Sequence, residues 1–415
     1  MEKFNSYSCS ICNSVYEPDE VTYTCPKDGG NLDINLNYEA ISKTTSPEAI
    51  TSSQDFSIWR YLPLLPVLDP GCMGTPLRSV GWTPLYQPKG LSRELKLNTL
   101  WLKDDGRNPT ASFKDRASAV LIARAREIKA EVVVTASTGN AGAALAGMAA
   151  AANHKAVIFA PKSAPPAKVA QLLVFGASVY LVDGNYDQAF DLSIQAANEY
   201  GWYCRNTGFN PFTAEGKKTA AFEIWEQVIN SDDLSKPLNI FVSVGDGNII
   251  SGIHKGFKDL FELGWLKQMP RLFGVQAEGS AAIANAFRDG VEDIQAVSAT
   301  TLADSISVDI PRDGLRALRA VTHTGGSYIT VSDIEILAAI ARLGREGIFA
   351  EPAASTAYAG LVKAVASKLI HSDDPVLVMI TGSGLKDVKA ATNAVQPAPI
   401  IEPTLEALKK VLKKQ

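Results

Sequence analysis

From Thr99 to Ile380, short apolar runs rich in β-branched residues alternate with longer segments of helical periodicity, and no other feature of the chain restricts its fold as much. The runs Thr99 to Lys103, Glu131 to Thr135, Lys155 to Ala160, Ser178 to Val182, Trp202 to Asn206, Asn239 to Val244, Arg271 to Gln276 and Pro375 to Ile380 predict strands. Helices are predicted at Ala141 to Asn153, Pro166 to Gly176, Tyr186 to Tyr200, Glu215 to Ile229, Ile249 to Leu260, Asp333 to Gly344 and Ala354 to Ile370. Strands with nearly unbroken apolar character are buried on both faces, and a helix between them is the crossover that parallel pairing needs. Right-handed βαβ units and an α/β class follow. Ligands of open parallel sheets bind beyond the carboxyl ends of the strands, so the chemistry is sought in the turns there.

Four turns carry residues of the required kind. Asn108-Pro109-Thr110-Ala111-Ser112-Phe113-Lys114-Asp115-Arg116 delivers Lys114 to the start of a long apolar-rich helix. A lysine at a helix N-terminus, partly buried beside Phe113, has its pKa depressed and its amine freed as a nucleophile. The competing reading is a solvated lysine flanked by solvated Asp115 and Arg116. Ser137-Thr138-Gly139-Asn140 follows the second strand; its hydroxyls and backbone N–H groups form an anion site, or they simply cap the alanine-rich helix behind them. Gly245-Asp246-Gly247-Asn248-Ile249 lets backbone N–H groups approach a phosphate, although it has neither the G-x-G-x-x-G nor the P-loop spacing. Thr381-Gly382-Ser383-Gly384 closes the last strand.

At 415 residues two or three domains are expected. A net charge of −4 gives no field for nucleic acid or an anionic membrane, and the longest apolar run, Ala141 to Ala152, is too short to span a bilayer. The first residues hold no apolar leader core and the five cysteines form no disulfide framework, so a cytoplasmic enzyme is expected. Residues 1–40 stand apart. Cys9, Cys12 and Cys25 have the spacing of a two-knuckle zinc ribbon whose fourth place is taken by Asp28, leaving open a zinc site or a relic held by apolar contacts. Weak metal binding at most, and a ribbon dispensable for chemistry, are the expectations. Residues 41–56 read as a Ser/Thr-rich linker, Ile58 to Leu68 as a segment packed on the main body, and Pro403 to Lys414 as an amphipathic tail helix.

A nucleophilic lysine, two anion cradles and a hydroxyl turn are the parts that pyridoxal 5'-phosphate requires. With Gly81-Trp82-Thr83-Pro84-Leu85, Glu215-Gly216-Lys217-Lys218-Thr219 and Glu351-Pro352-Ala353-Ala354, these motifs make the chain resemble the tryptophan-synthase-β type of pyridoxal phosphate enzymes, and within it the threonine synthases, over nearly its whole length. The resemblance implies two open parallel-sheet domains, with the cofactor domain at 41–130 and 211–400, a substrate-carboxylate domain at 131–210, the ribbon at 1–40 and a helix at 401–415. It implies Lys114 as the Schiff-base lysine and proton carrier, packed by Phe113, with Asn140 on the ring hydroxyl, Gly245, Asp246, Gly247, Asn248 and Ile249 around the phosphate, and Thr381 facing the pyridine nitrogen. A neutral hydroxyl there favours elimination over transamination. Ser137, Thr138, Gly139, Asn140 and Ala141 would take the substrate carboxylate. The implied reaction converts O-phosphohomoserine and water to threonine and phosphate; the implied partner is a small amino-acid phosphate, and the implied assembly a homodimer. Alternatives are β-replacement on O-phosphoserine, as in cysteate synthase, a serine/threonine dehydratase, and a binding module without turnover.

The chain departs from the family pattern in three places. The phosphate loop is one residue short and carries Asp246, which is expected to point away from the cofactor. The ribbon lacks its fourth thiol. The arginine that grips the substrate phosphate is replaced by Thr213 in Thr207-Gly208-Phe209-Asn210-Pro211-Phe212-Thr213. Lys218 is the expected substitute, against the reading that it pairs with Glu215; Arg205, Lys217 and Asn210 are the other donors nearby.

Overall fold

The computed structural model describes residues 3–232 and 234–413. A six-stranded sheet runs in the order Ser327–Val331, Arg271–Ala277, Asn239–Ser243, Val376–Ile380, Leu100–Asp104, Leu85–Tyr86, parallel except for the last, antiparallel edge. A four-stranded parallel sheet orders Ser178–Val182, Lys155–Pro161, Val132–Ala136 and Tyr203–Cys204. Every residue of Asn239–Ser243 and of Val376–Ile380 is buried, which is why both read as continuous apolar runs. Phe241 and Phe273 stack at 4.7 Å across neighbouring strands. This is the α/β architecture expected from the alternation. No helix among the described residues is long and apolar enough to cross a membrane.

The N-terminal residues form a three-stranded antiparallel sheet from Phe4–Cys9, Val15–Tyr16 and Leu32–Leu36. It is not a detached module. Phe4, Tyr7, Leu32 and Ile34 share one apolar cluster with Trp101, Phe212 and Ile253 of the main body. Lys255 donates to the carbonyl of Ile34 at 2.8 Å, and Arg316 pairs with Asp33 at 2.6 Å.

Several local expectations are corrected. The supposed linker holds the end of the helix Tyr38–Thr44 and all of Pro47–Thr51, and polar residues there and just before it act as caps: Asn37 and Ser46 accept from the N–H groups of Ala40 and Ala49. The strand expected at Trp202 to Asn206 pairs only over Tyr203–Cys204, because the Asn206 side chain takes the N–H of Ala136 at 2.9 Å, a position a ladder carbonyl would otherwise hold. The helix expected from Glu215 begins at Phe212 and is divided into Phe212–Lys217, Thr219–Ile224 and a wider turn at Trp225–Ile229. The edge strand Ser327–Val331 and the helices Ala282–Asp289 and Gly314–His323 were not expected.

Candidate functional site

Lys114 is the first residue of the helix Lys114–Glu127, and the turn before it is fixed by residues from the far end of the chain. The N–H of Phe113 donates to the carbonyl of Thr381 at 2.8 Å, and the N–H of Ser383 to that of Ala111 at 3.1 Å. Ala111 has φ +64°, a left-handed conformation that these bonds must hold against its Cβ. Asp115 is buried and receives the N–H of Thr110 at 2.6 Å and the Thr110 hydroxyl. Arg116 is buried as well: it bridges Asp105 (2.6 and 2.9 Å) and Glu223 (2.5 and 2.9 Å), and Lys103 reaches Glu223 at 2.6 Å. The solvated reading of this segment therefore falls. Among the described residues Lys114 has no carboxylate within ion-pair distance, and burial, with Arg205 nearby, lowers its pKa to about 8.

Lys114 faces a cavity that it shares with Phe113, Asn140, the loop from Gly245 to Ile249, Glu351 and Thr381. The glycine loop opens the helix Asn248–Glu262, whose first turn no side chain caps, so its N–H groups remain free for an anion. Gly247 has φ +92°, and a Cβ there would lie 2.6 Å from the Cβ of Ala317 and 2.7 Å from the carbonyl of Asp313. Only glycine suits that position. Asp246 does not leave the site: it lines the cavity, buried, with Oδ1 accepting the N–H of Arg312 at 3.2 Å, and burial raises its pKa. A carboxyl that protonates readily is tolerable beside a dianion. On the floor, Thr381 Oγ1 lies 3.5 Å from Ser243 Oγ.

Asn140 donates through Nδ2 to both carboxylate oxygens of Glu351, at 2.8 and 3.1 Å. Burial raises the pKa of Glu351, which leads the helix Pro352–Ala366. A second cavity adjoins the first through Asn140, Ser305 and Glu351, and Thr138 and Gly139 line it. The helix Asn140–Ala151 has no side-chain cap, so the capping reading of this turn is replaced by open N–H groups facing a cavity. Ser137 and Ala141 line neither cavity, and the Ser137 N–H is already bonded to the carbonyl of Phe159 at 3.1 Å. Across the mouth, Lys168 pairs with Asp304, and Lys386 bonds Gln171 at 3.1 Å.

Lys218 does not reach the site. It is fully buried between Glu215 (2.5 Å) and Asp259 (2.7 Å), so the pairing alternative is the one observed. Lys217 bonds the loop residue Asn248 through Oδ1 instead. Sequence reasoning gave no role to Glu351, Thr207, Ser243, Ser305 or Ile306, all of which line the cavity; the Glu351-Pro352 start of a helix was the one visible signal.

In the ribbon, the ligand atoms of Cys9, Cys12, Cys25 and Asp28 lie within 4.8 Å of one another. The Sγ atoms of Cys12 and Cys25 are 3.7 Å apart, and the Tyr16 hydroxyl is 3.0 Å from the Cys25 sulfur. Asn31, just beyond, donates to the carbonyl of Gly208 and, at 3.0 Å, to that of Arg312, so the ribbon ties two loops that flank the cavity. This contact runs against the expectation of a dispensable ribbon.

Comparison with known proteins places this geometry. The family model described as "Pyridoxal-phosphate dependent enzyme" matches residues 77–382. A threonine synthase from Methanocaldococcus jannaschii is 39% identical over 408 residues, covering 98% of each chain. One from Methanosarcina acetivorans is 35% identical, covering 97% of this chain and 98% of its own. Among solved structures, diaminopropionate ammonia lyase from Escherichia coli covers 85% of this chain and 93% of its own with a TM-score of 0.66 and 20% identity. Threonine deaminase isoform 2 from Solanum lycopersicum covers 82% and 85% with a TM-score of 0.63 and 22% identity. These two likenesses show the fold.

Proposed function

The chain belongs to the pyridoxal-phosphate dependent enzymes and, within them, to the threonine synthases; we propose that it converts O-phosphohomoserine and water to threonine and phosphate by γ-elimination followed by β-addition. The observation that carries this reading is one cavity holding an unpaired lysine of lowered pKa opposite the uncapped, glycine-led N-terminus of Asn248–Glu262. That donor set suits an aldehyde that bears a phosphate, and Lys114 with the loop from Gly245 to Ile249 would hold it.

When bound, the cofactor supplies an electron sink for negative charge developing at the substrate Cα. The protein's own groups do the rest. The Lys114 amine, its pKa lowered to about 8, is suited to take a proton from Cα and one from Cβ as the phosphate leaves Cγ, and to return one proton to Cγ and, at the end, one to Cα. Thr138, Gly139 and Asn140, at the open N-terminus of Asn140–Ala151, would orient the substrate carboxylate. Thr381 offers a neutral hydroxyl where a carboxylate would favour transamination. Glu351, whose pKa burial raises, stands beside Asn140 as a proton-holding group at the join of the two cavities. Phosphate leaves Cγ with its bridging oxygen, and hydroxide from water is added at Cβ.

The test is product analysis on the purified holoenzyme. Threonine and phosphate in equal amounts from O-phosphohomoserine support the reading; cysteate from O-phosphoserine and sulfite, or a keto acid from threonine at a higher rate, would replace it. Loss of the visible cofactor absorbance in Lys114→Ala, with wild-type secondary structure, checks the lysine assignment.

Three further assignments complete the proposal. The three thiols and Asp28 form a compact donor set for one tetrahedral divalent ion, which elemental analysis checks. Five cysteines without disulfides suit the cytoplasm. A homodimer is the expected assembly, to be read from the mass in solution.

A further inference from the structure

Eight lysine and arginine side chains are buried among the described residues: Arg60, Lys103, Arg116, Arg205, Lys217, Lys218, Lys255 and Arg316. Six of them form ion pairs with carboxylates. Arg205 and Lys217 do not. Arg205 directs Nη1 to the hydroxyl of Thr207 at 2.7 Å and Nε to that of Ser118 at 3.4 Å, while its Nη2 is buried with no partner at all. Lys217, fully buried, has the amide oxygen of Asn248 as its one partner. Burying a charge without a counter-charge costs several kcal/mol, so two such groups that influence each other form a donor set suited to an anion.

Both cations stand against the cavity that holds Lys114. Thr207, bonded to Arg205, and Asn248, bonded to Lys217, are part of its lining. The three cations also sense one another: Arg205 contributes to lowering the pKa of Lys114, and Lys114 and Arg205 both lower that of Lys217. The acids that reach them are Asp246, Asp115, Asp313 and, at Lys114, Glu351, none within ion-pair distance, and burial pushes Asp246 and Glu351 toward their neutral forms. Thr213 stands where the family resemblance leads one to expect an arginine. Its hydroxyl lies 3.2 Å from Asn248 Oδ1, the same atom that receives Lys217, so the lysine shares the neighbourhood the missing guanidinium would fill.

We propose that Arg205 and Lys217 together form the subsite for the substrate's phosphate, taking over from the arginine that Thr213 replaces. The assignment rests on the function proposed above and adds the residues that recognise the leaving group. The same chemistry would suit the cofactor's phosphate, but that group already has the glycine loop, and Arg205 belongs to the other sheet, following its strand Tyr203–Cys204.

Inorganic phosphate titrated calorimetrically into the holoenzyme is the direct probe, applied to wild type, Arg205→Gln, Lys217→Gln and the charge-keeping Arg205→Lys. Each neutral variant is expected to weaken phosphate binding about ten- to a hundredfold, the loss of one or more charge-assisted hydrogen bonds, with Arg205→Lys in between. The KM for O-phosphohomoserine should rise by a similar factor, and the cofactor retained after dialysis should stay at the wild-type level. Unchanged phosphate binding in the variants, or no binding by wild type, overturns the subsite. Loss of cofactor with phosphate binding intact assigns the cations to the cofactor instead and also overturns it. If the holoenzyme makes no threonine yet the variants still lose phosphate, the subsite stands and the proposed substrate falls.

Discussion

Arg116 and Arg205 are both fully buried guanidinium groups close to Lys114, yet they are built in opposite ways. Around Arg116, Asp105, Glu223 and Lys103 satisfy one another at 2.5 to 2.9 Å. Around Arg205 there are hydroxyls and a second cation, and one nitrogen is left with nothing. A closed network fixes the lysine helix on the sheet and is complete without a ligand. The open one is completed only by something that binds. Buried charge thus serves position in one place and recognition in the other, and the two are told apart by whether each donor has an acceptor.

The widest gap is expected between Arg116→Met and Arg205→Met. Removing Arg116 leaves the buried Asp105 without its counter-charge and Glu223 with Lys103 alone, and should destabilise the protein by about 3–5 kcal/mol. Removing Arg205 relieves an unpaired donor, and stability should stay within about 1 kcal/mol of wild type or improve. Denaturant unfolding of the two variants measures this, and equal losses would erase the distinction. The neighbouring lysines repeat the contrast one step down: Lys218→Met leaves Glu215 and Asp259 with Lys255 alone, at 3.4 and 3.3 Å, and should cost about 2–4 kcal/mol, whereas Lys217→Met, which breaks no ion pair, should cost less than about 1 kcal/mol.

Acidity provides a finer test. Lys114 is protonated below about pH 8, so uptake of cofactor by the apoprotein should quicken about fivefold from pH 7 to 8 and level off above about pH 9. Because its folded pKa lies below the unfolded value of 10.5, the unfolded chain binds more protons between those values, and the apoprotein's stability should rise with pH across that window. Arg205→Gln should move the uptake midpoint upward, since it removes a cation that opposes protonation; Arg60→Gln, a distant buried cation paired with Glu226, should leave the midpoint in place. The smallest effect is expected at the ribbon. Asn31→Ala, which releases the carbonyls of Gly208 and Arg312, should lower stability by about 1 kcal/mol and raise the KM for O-phosphohomoserine less than tenfold. Chelation of a ribbon metal should lower the melting temperature without removing the cofactor.

Strands buried on both faces were legible because burial leaves continuous apolar runs, as in Asn239–Ser243. The edge strand Ser327–Val331 was not, because only Tyr328 and Val331 of its five residues are buried and it follows a pair of glycines. The helix Gly314–His323 was hidden by Arg316, a charged residue that faces inward to Asp313 and the ribbon. At the site, turns that follow strands announced Lys114, Asn140, the glycine loop and Thr381. Glu351 and Ser305 come from segments whose approach depends on how the two sheets meet, which no local pattern records. Lys217 and Lys218 could not be told apart because both lie in a stretch buried on every side, where periodicity loses its polar face, and adjacent residues point roughly 100° apart.

The bonds from Phe113 to Thr381 and from Ala111 to Ser383 join the first third of the chain to its last tenth. During synthesis the lysine turn emerges early, while the strand that pins it, Val376–Ile380, emerges almost last. Contacts so distant along the chain form late in folding. The left-handed Ala111 has no reason to persist until then, so Lys114 gains its orientation only on an essentially complete chain. Capture of the cofactor should accordingly coincide with the final phase of refolding and fail on chains truncated before Thr381, which makes the colour of the bound cofactor a reporter of completed assembly.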